Sequence, residues 1–242
     1  MAKPRPTIIF QDDDVVIVNK PANWLSIPDR YDPTKPNLYH WLQQQYENIF
    51  IIHRLDRETS GVICFAKNEA AHKHLNQQFA DRTTKKIYQV LIEGTPANDS
   101  GIIDKAIAKS MTHPGRMVIA DRGKPSVTTW EVAERFKNYT LLNASIHTGR
   151  THQIRVHFQS TGYPLAVDKL YGRKEEFLLS QVKLRNFRMG KEQEERPLLT
   201  RTSLHAYQLT IQHPSTEEQL TFSAELPRDF AAVVKQLRKW GK

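Results

Sequence analysis

Reactive side chains are densest in the run His53-Arg54-Leu55-Asp56-Arg57-Glu58-Thr59-Ser60-Gly61. A carboxylate flanked by Arg54 and Arg57 is expected to stay ionised, because nearby positive charge favours the charged form. On residue types alone this is a turn with an ion pair, since Asp-Arg pairs in loops are commonly structural and Thr-Ser-Gly is ordinary turn chemistry. Its setting adds something. Ile49-Phe50-Ile51-Ile52 leads into the run and Val62-Ile63-Cys64-Phe65-Ala66 leaves it. Short apolar runs bounded by turn residues predict buried strands, and loops held by rigid strands are where reactive groups tend to sit.

The string HRLDRETSG resembles the HRLDxxTSG signature of the RluA-type pseudouridine synthases, which modify ribosomal and transfer RNA, and fits it without a mismatch. Other stretches carry the same resemblance. Lys85-Lys86-Ile87-Tyr88-Gln89-Val90 is similar to a family strand bearing a tyrosine, which falls on Tyr88. Thr148 to His157 is similar to the third family motif, with Arg155 as its final arginine, and Asp168 to Gly172 and Leu204 to Leu209 are similar to later markers. Asn19-Lys20-Pro21-Ala22-Asn23 departs slightly, with asparagine where the family usually has glycine. Asparagine is the next most tolerant of left-handed backbone, so a tight turn there is expected.

The resemblance implies an α+β fold: a mostly antiparallel mixed sheet with flanking helices and loops, and a central RNA-binding cleft. It implies that Asp56 is catalytic. Converting uridine to pseudouridine breaks the glycosidic bond, turns the uracil and reattaches it through carbon, so an aspartate acts as nucleophile or assists deprotonation at the sugar. The base must first leave its stack. Tyr88 offers a face for the flipped ring and has a possible part in proton removal, and Arg155 is expected to pair with Asp56, since arginine keeps its charge in any setting. RNA contacts are expected at His53, Arg54, Arg57, Thr59, Arg150, His152, Lys20 and Lys86, with neither cofactor nor metal.

Composition agrees with a polyanionic partner. Lys+Arg 35 against Asp+Glu 26 gives a net charge of +9, which favours fast, salt-sensitive association with nucleic acid. Cys64 has no second cysteine to pair with, which points to a reducing compartment, the cytoplasm. No apolar run approaches the roughly 20 residues of a membrane span, and no signal-peptide core follows the start. A monomer is expected. His147, His152 and His157 are five apart, whereas a helical metal pair needs four, and Asp12-Asp13-Asp14 reads as a turn. A metal-dependent hydrolase is therefore disfavoured. The alternative is a non-catalytic RNA-binding or RNA-folding factor on the same scaffold; loss of Asp56, Tyr88 or Arg155 would favour it, and all three are present.

The elements that must position these residues are legible in outline. Residues 1–6 read as a basic tail and 7–242 as one catalytic domain, with 173–202 a flexible insertion and no separate N-terminal RNA-binding domain. A hairpin is expected over 7–10 and 15–19, and helices after Asn37 and over Glu69–Asp81 behind the cap Asn68. A strand follows over 85–92, then a basic hairpin over 101–127 and a strand pair over 128–135 and 139–147. Thr151 should cap the helix carrying Arg155, with Ile154, Phe158 and Thr161 on its buried face. A hairpin over 205–213 and 219–226 and an amphipathic helix over 229–240 close the chain.

Overall fold

The structure, a computed structural model, describes residues 4–183 and 195–241. In chain order the elements are β1 (Thr7–Gln11), β2 (Val15–Lys20), α1 (Leu38–Gln43), β3 (Phe50–Ile51), β4 (Ser60–Ala66), α2 (Glu69–Asp81) and β5 (Lys85–Glu93). There follow β6 (Ser100–Asp104), β7 (Ile107–Lys109), β8 (Met117–Ile119), β9 (Val127–Arg135), β10 (Tyr139–Ile146) and α3 (Gln153–Ser160). The last three are β11 (Leu204–Gln212), β12 (Gln219–Ser223) and α4 (Arg228–Trp240). Residues 7–242, read in sequence as one domain, comprise two compact units, each built from two segments. One joins Met1–Tyr88 to His205–Glu225, the other Gln89–Leu204 to Leu226–Lys242. Among the described residues no helix is long and apolar enough to cross a membrane.

In the first unit the strands run β1-β2-β4-β11, with β3 on β4 and β12 on β11. β2 and β4 are buried along almost their whole length, as continuous apolar runs predict for strands covered on both faces. β1–β2, β2–β4, β3–β4 and β11–β12 pair antiparallel, whereas β4–β11 is parallel through His205↔Ser60 and Ala206↔Gly61. α2 packs Ala71, Leu75 and Phe79 on the core with Ile17, Cys64 and Leu209. Its ends are chemical. Asn68 accepts the Ala71 N–H at 2.8 Å, and Arg82 stops the helix in left-handed geometry at φ 62°. Asn23 is also left-handed, at φ 67°, which is why asparagine serves at that turn.

Gly61 opens β4 with φ +116°, and a Cβ there would lie 2.0 Å from the Ala206 carbonyl oxygen. Strand β11 thus passes too close for any side chain. Gly61→Ala is expected to lose stability by about 1–3 kcal/mol or more, since both strain and overlap oppose it. A urea midpoint equal to the parent's would show that the two strands do not approach this closely.

In the second unit the second half of β5 joins β10, β9 and β6 in that order. β7 and β8 form a separate small hairpin. The core gathers Leu91, Tyr139, Leu141, Ala166 and Val167 with Phe230, Val233, Val234 and Leu237 of α4, the buried face of the amphipathic helix expected over 229–240. Residues 173–202 differ from expectation at both described ends. Phe177, Val182 and Leu199 belong to that core, and the Phe177 N–H donates to the Leu199 carbonyl while its carbonyl accepts the Leu198 N–H, both at 2.8 Å; residues 184–194 lie outside the described set. α3 also starts differently. Its cap is His152 at φ 55° with no side-chain capping bond, not Thr151. The Gln153 side chain instead ties down the turn before the helix, its Oε1 accepting from the Arg150 N–H at 3.1 Å and from the Thr148 hydroxyl at 2.8 Å. Thr161 is exposed, whereas residues 153–158 are all buried.

Candidate active site

Asp56 sits in the turn between β3 and β4. Its carbonyl accepts the Thr59 N–H at 3.1 Å, which closes the turn and explains why Thr59, expected to touch RNA, is buried at 2% exposure. Lys20 fixes the loop from below. It is fully buried, and its ammonium donates to the carbonyls of Trp24 at 2.7 Å, Arg57 at 3.0 Å and Pro21 at 3.2 Å. Three carbonyl dipoles solvate a buried cation that would otherwise be costly. The Asn23 N–H adds a bond to the same Arg57 carbonyl at 2.8 Å. Lys20, expected as an RNA contact, is thus built into the loop, while Arg54 and Arg57 stay exposed.

Two further contacts fix the loop, and sequence gave no sign of either. Ser26 Oγ donates to the Leu55 carbonyl at 3.1 Å and accepts the Leu55 N–H at 3.0 Å, clamping the residue before Asp56. At the other end Ser60 Oγ lies 2.9 Å from His205 Nδ1, and His205 Nε2 lies 2.9 Å from the Ala224 carbonyl. A carbonyl can only accept, so in the neutral ring Nε2 carries the proton and the serine donates to Nδ1.

Tyr88 is 8% exposed on β5. Burial first, and then the negative charge of Asp56, push its phenol above the ordinary value. The phenol is therefore neutral at pH 7, and it senses the carboxylate that the family signature singles out. Lys86, two residues before on the same strand, sets its ammonium 5.1 Å from the Phe79 ring centre. Burial, then the Arg82 charge, lowers its pKa. On Phe79 also stacks His53, with centroids 4.7 Å apart.

His53 spends its Nε2 on the Cys64 N–H, 3.1 Å away. Burial, with a smaller contribution from the Lys86 charge, lowers its pKa to about 3, against about 6.5 in an unfolded chain. Between those values the unfolded chain holds more protons than the native one, so stability falls as pH drops from about 6.5 toward 3. His157, also depressed by burial, acts in the same direction. Glutamine at position 53 can accept the same N–H without titrating. Melting temperatures of the parent and His53→Gln are therefore expected to converge below pH 6.5, the variant losing less on acidification. Parallel pH profiles would remove His53 from the acid limb.

The third motif belongs to the second unit. Nε and Nη2 of Arg155 reach Oδ2 and Oδ1 of Asp168 at 2.6 and 2.8 Å, a two-pronged pair with side-chain exposures of 7% and 0%. Asp168 Oδ1 also accepts the Leu170 and Tyr171 N–H groups at 2.9 and 3.0 Å. Arg155 lies over the Tyr171 ring at 5.0 Å. The Tyr171 hydroxyl accepts the Met117 N–H at 2.7 Å and lies 2.8 Å from His152 Nδ1. Asp168 is the partner that the sequence reading left out, although its DKLYG stretch had been noticed. Arg150 is half-exposed, its Nε 3.4 Å from the Pro125 carbonyl. Among the described residues no group of His, Cys, Asp or Glu could hold a metal.

The profile of the RNA pseudouridylate synthase family matches residues 14–160, which contain this loop, Tyr88 and the third motif. An uncharacterized RNA pseudouridine synthase of Aquifex aeolicus is 37% identical over 96% of the chain and 73% of its own length. The dual-specificity RNA pseudouridine synthase RluA of Vibrio vulnificus is 36% identical over 88% and 80%. Ribosomal large subunit pseudouridine synthase D of Nitrosomonas europaea is 37% identical over 96% of the chain and 65% of its own length. Among solved structures, human RNA pseudouridylate synthase domain containing 1 aligns over 98% of both chains, with a TM-score of 0.68 and 26% identity. The domain-containing 4 protein, at 23% identity and a TM-score of 0.72 over 96% of this chain and 92% of that one, shares the fold.

Proposed function

Because this chain belongs to the RNA pseudouridylate synthase family, an enzyme family of RNA isomerases, we propose that it converts specific uridines of structured ribosomal or transfer RNA through Asp56. The observation that carries the reading is the loop itself: Asp56 held between the half-buried β3 and the buried β4, its charge felt by the buried Tyr88 phenol. The names of the relatives, which include both ribosomal and dual-specificity synthases, support this substrate range. A cytoplasmic site of action fits such substrates.

The reaction is an isomerisation. The N1–C1′ bond breaks, a C5–C1′ bond forms, the proton on C5 is lost and N1 gains one. Nothing is oxidised or reduced and no group is added, so no cofactor is called for. The uridine leaves its stack, and the Asp56 carboxylate drives departure of the uracil, as nucleophile at C1′ or as base at the sugar. Tyr88 supplies a flat neutral ring for the detached uracil. Arg155, held in place by Asp168, is assigned as the fixed positive charge of the third motif, and the exposed Arg54 and Arg57 to grip phosphates.

Tritium at C5 of uridine is released only when the new carbon bond is made, so its release from transcribed ribosomal and transfer RNA tests the reading. The parent should release it and Tyr88→Phe should bind the RNA as tightly, because the ring face is kept. If the hydroxyl also moves the C5 proton, Tyr88→Phe falls by about 10²–10⁴-fold in release, the usual weight of a general base. Release by the variant at the parent's rate would confine Tyr88 to stacking.

A further inference from the structure

In the second unit the β7–β8 hairpin, the loop between its strands and α3 line an open pocket of about 440 Å³, within the roughly 300–1,000 Å³ typical of small-ligand sites. We propose that it is a second nucleotide pocket, taking an unstacked base of the substrate RNA other than the uridine that is modified. The inference rests on RNA being the substrate and adds where else that RNA is held. The lining has an apolar part, Val118, Ile119 and Val156, and a polar part, Ser110, Thr112, His113, Arg116 and Gln159. A nucleobase has the matching form, apolar faces and a polar edge.

The polar part is ordered before any ligand arrives. Ser110 Oγ accepts the N–H groups of Thr112 and His113 at 3.3 and 3.0 Å. Thr112 Oγ1 lies 3.3 Å from Ser110 Oγ and 2.8 Å from His113 Nδ1, so the three polar side chains form one hydrogen-bonded chain. Gln159 stands three residues after Val156 on α3, on the same face, and its amide offers both an acceptor and donors, the pairing that reads a purine edge. Arg116, 5.4 Å from the Tyr171 ring, has its plane steadied by that ring. Lys105, Lys109, Arg116, Arg122 and Lys124 outnumber Asp104 and Asp121 along 101–124, which favours a polyanion over a neutral ligand or an acidic peptide.

Two variants test this. Val118→Trp fills the cavity with an indole, and Gln159→Leu keeps the volume but removes the amide. Transcribed bacterial 23S ribosomal RNA and a transfer RNA pool are the probes, read by filter binding, tritium release and thermal melts. Each variant should raise Kd and KM about tenfold or more, the worth of one seated base, while the single-turnover rate at saturating RNA and the melt stay near the parent's. An unchanged Kd for Gln159→Leu with an unchanged melt overturns the pocket, whatever Val118→Trp does to folding. If the parent binds RNA yet releases no tritium, the catalytic reading fails and the two Kd values still decide the pocket. A Kd rise accompanied by an equal fall in the saturating rate would also overturn it, since a distant base pocket should not touch the chemistry.

Discussion

Asp56→Asn is expected to lose at least about four orders of magnitude in tritium release, the scale seen when an acting carboxylate is removed from a catalytic set. The amide keeps the shape of the side chain, and the loop around it depends on other groups. Lys20 holds the carbonyls of Trp24 and Arg57, and Ser26 holds both backbone groups of Leu55. Folding and RNA affinity should therefore survive, and filter binding and a melt run beside the release assay check both. Release near the parent's rate would sink the assignment of Asp56. It would also favour the alternative of an RNA-binding factor that uses this scaffold without its chemistry.

Arg155→Ala is expected to be the most destabilising substitution at the candidate residues. It strips the fully buried Asp168 carboxylate of both guanidinium bonds, and removing one member of a buried pair costs about 3–5 kcal/mol. For a chain of this size that lowers the melting temperature by roughly 10 °C or more. Arg155→Lys keeps the charge without the planar fork and should fall between parent and alanine. Differential scanning calorimetry on the three proteins settles the order. Should Arg155→Ala melt with the parent, the Arg155–Asp168 pair contributes no stability.

What the sequence made legible was local. The turn carrying Asp56 is a contiguous string, and the limits of α2 follow from Asn68 at one end and a clear four-residue spacing of Ala71, Leu75 and Phe79. What escaped depends on partners far along the chain. Ser26 meets Leu55 29 positions away, and Ser60 meets His205 145 positions away; no periodicity announces such pairs. Thr151 reads as a cap because hydroxyls usually cap helices, but the helix starts one residue later, behind His152 in left-handed geometry, and no side chain caps it. The 173–202 stretch reads as loose because charges of both signs and Pro197 interrupt it, yet Phe177 and Leu199 each occupy a core position that strand or helix spacing would not reveal. Arg155 was placed as a charge to be used, and its pairing with Asp168 thirteen positions later joins two motifs that had been read separately.

The segment His205–Glu225 completes the unit that holds Asp56, most of which is built from Met1–Tyr88. Domains fold as units while synthesis proceeds at about 5–20 residues per second. Until residue 205 has left the ribosome, Gly61 has no Ala206 beside it, Ser60 has no His205, and the Asp12 carboxylate lacks His213, its partner 2.8 Å away across 201 positions. The reactive loop is therefore made early and assembled late. A nascent chain that has not yet presented residues 205–225 carries the Asp56 string without the strand that lies against it.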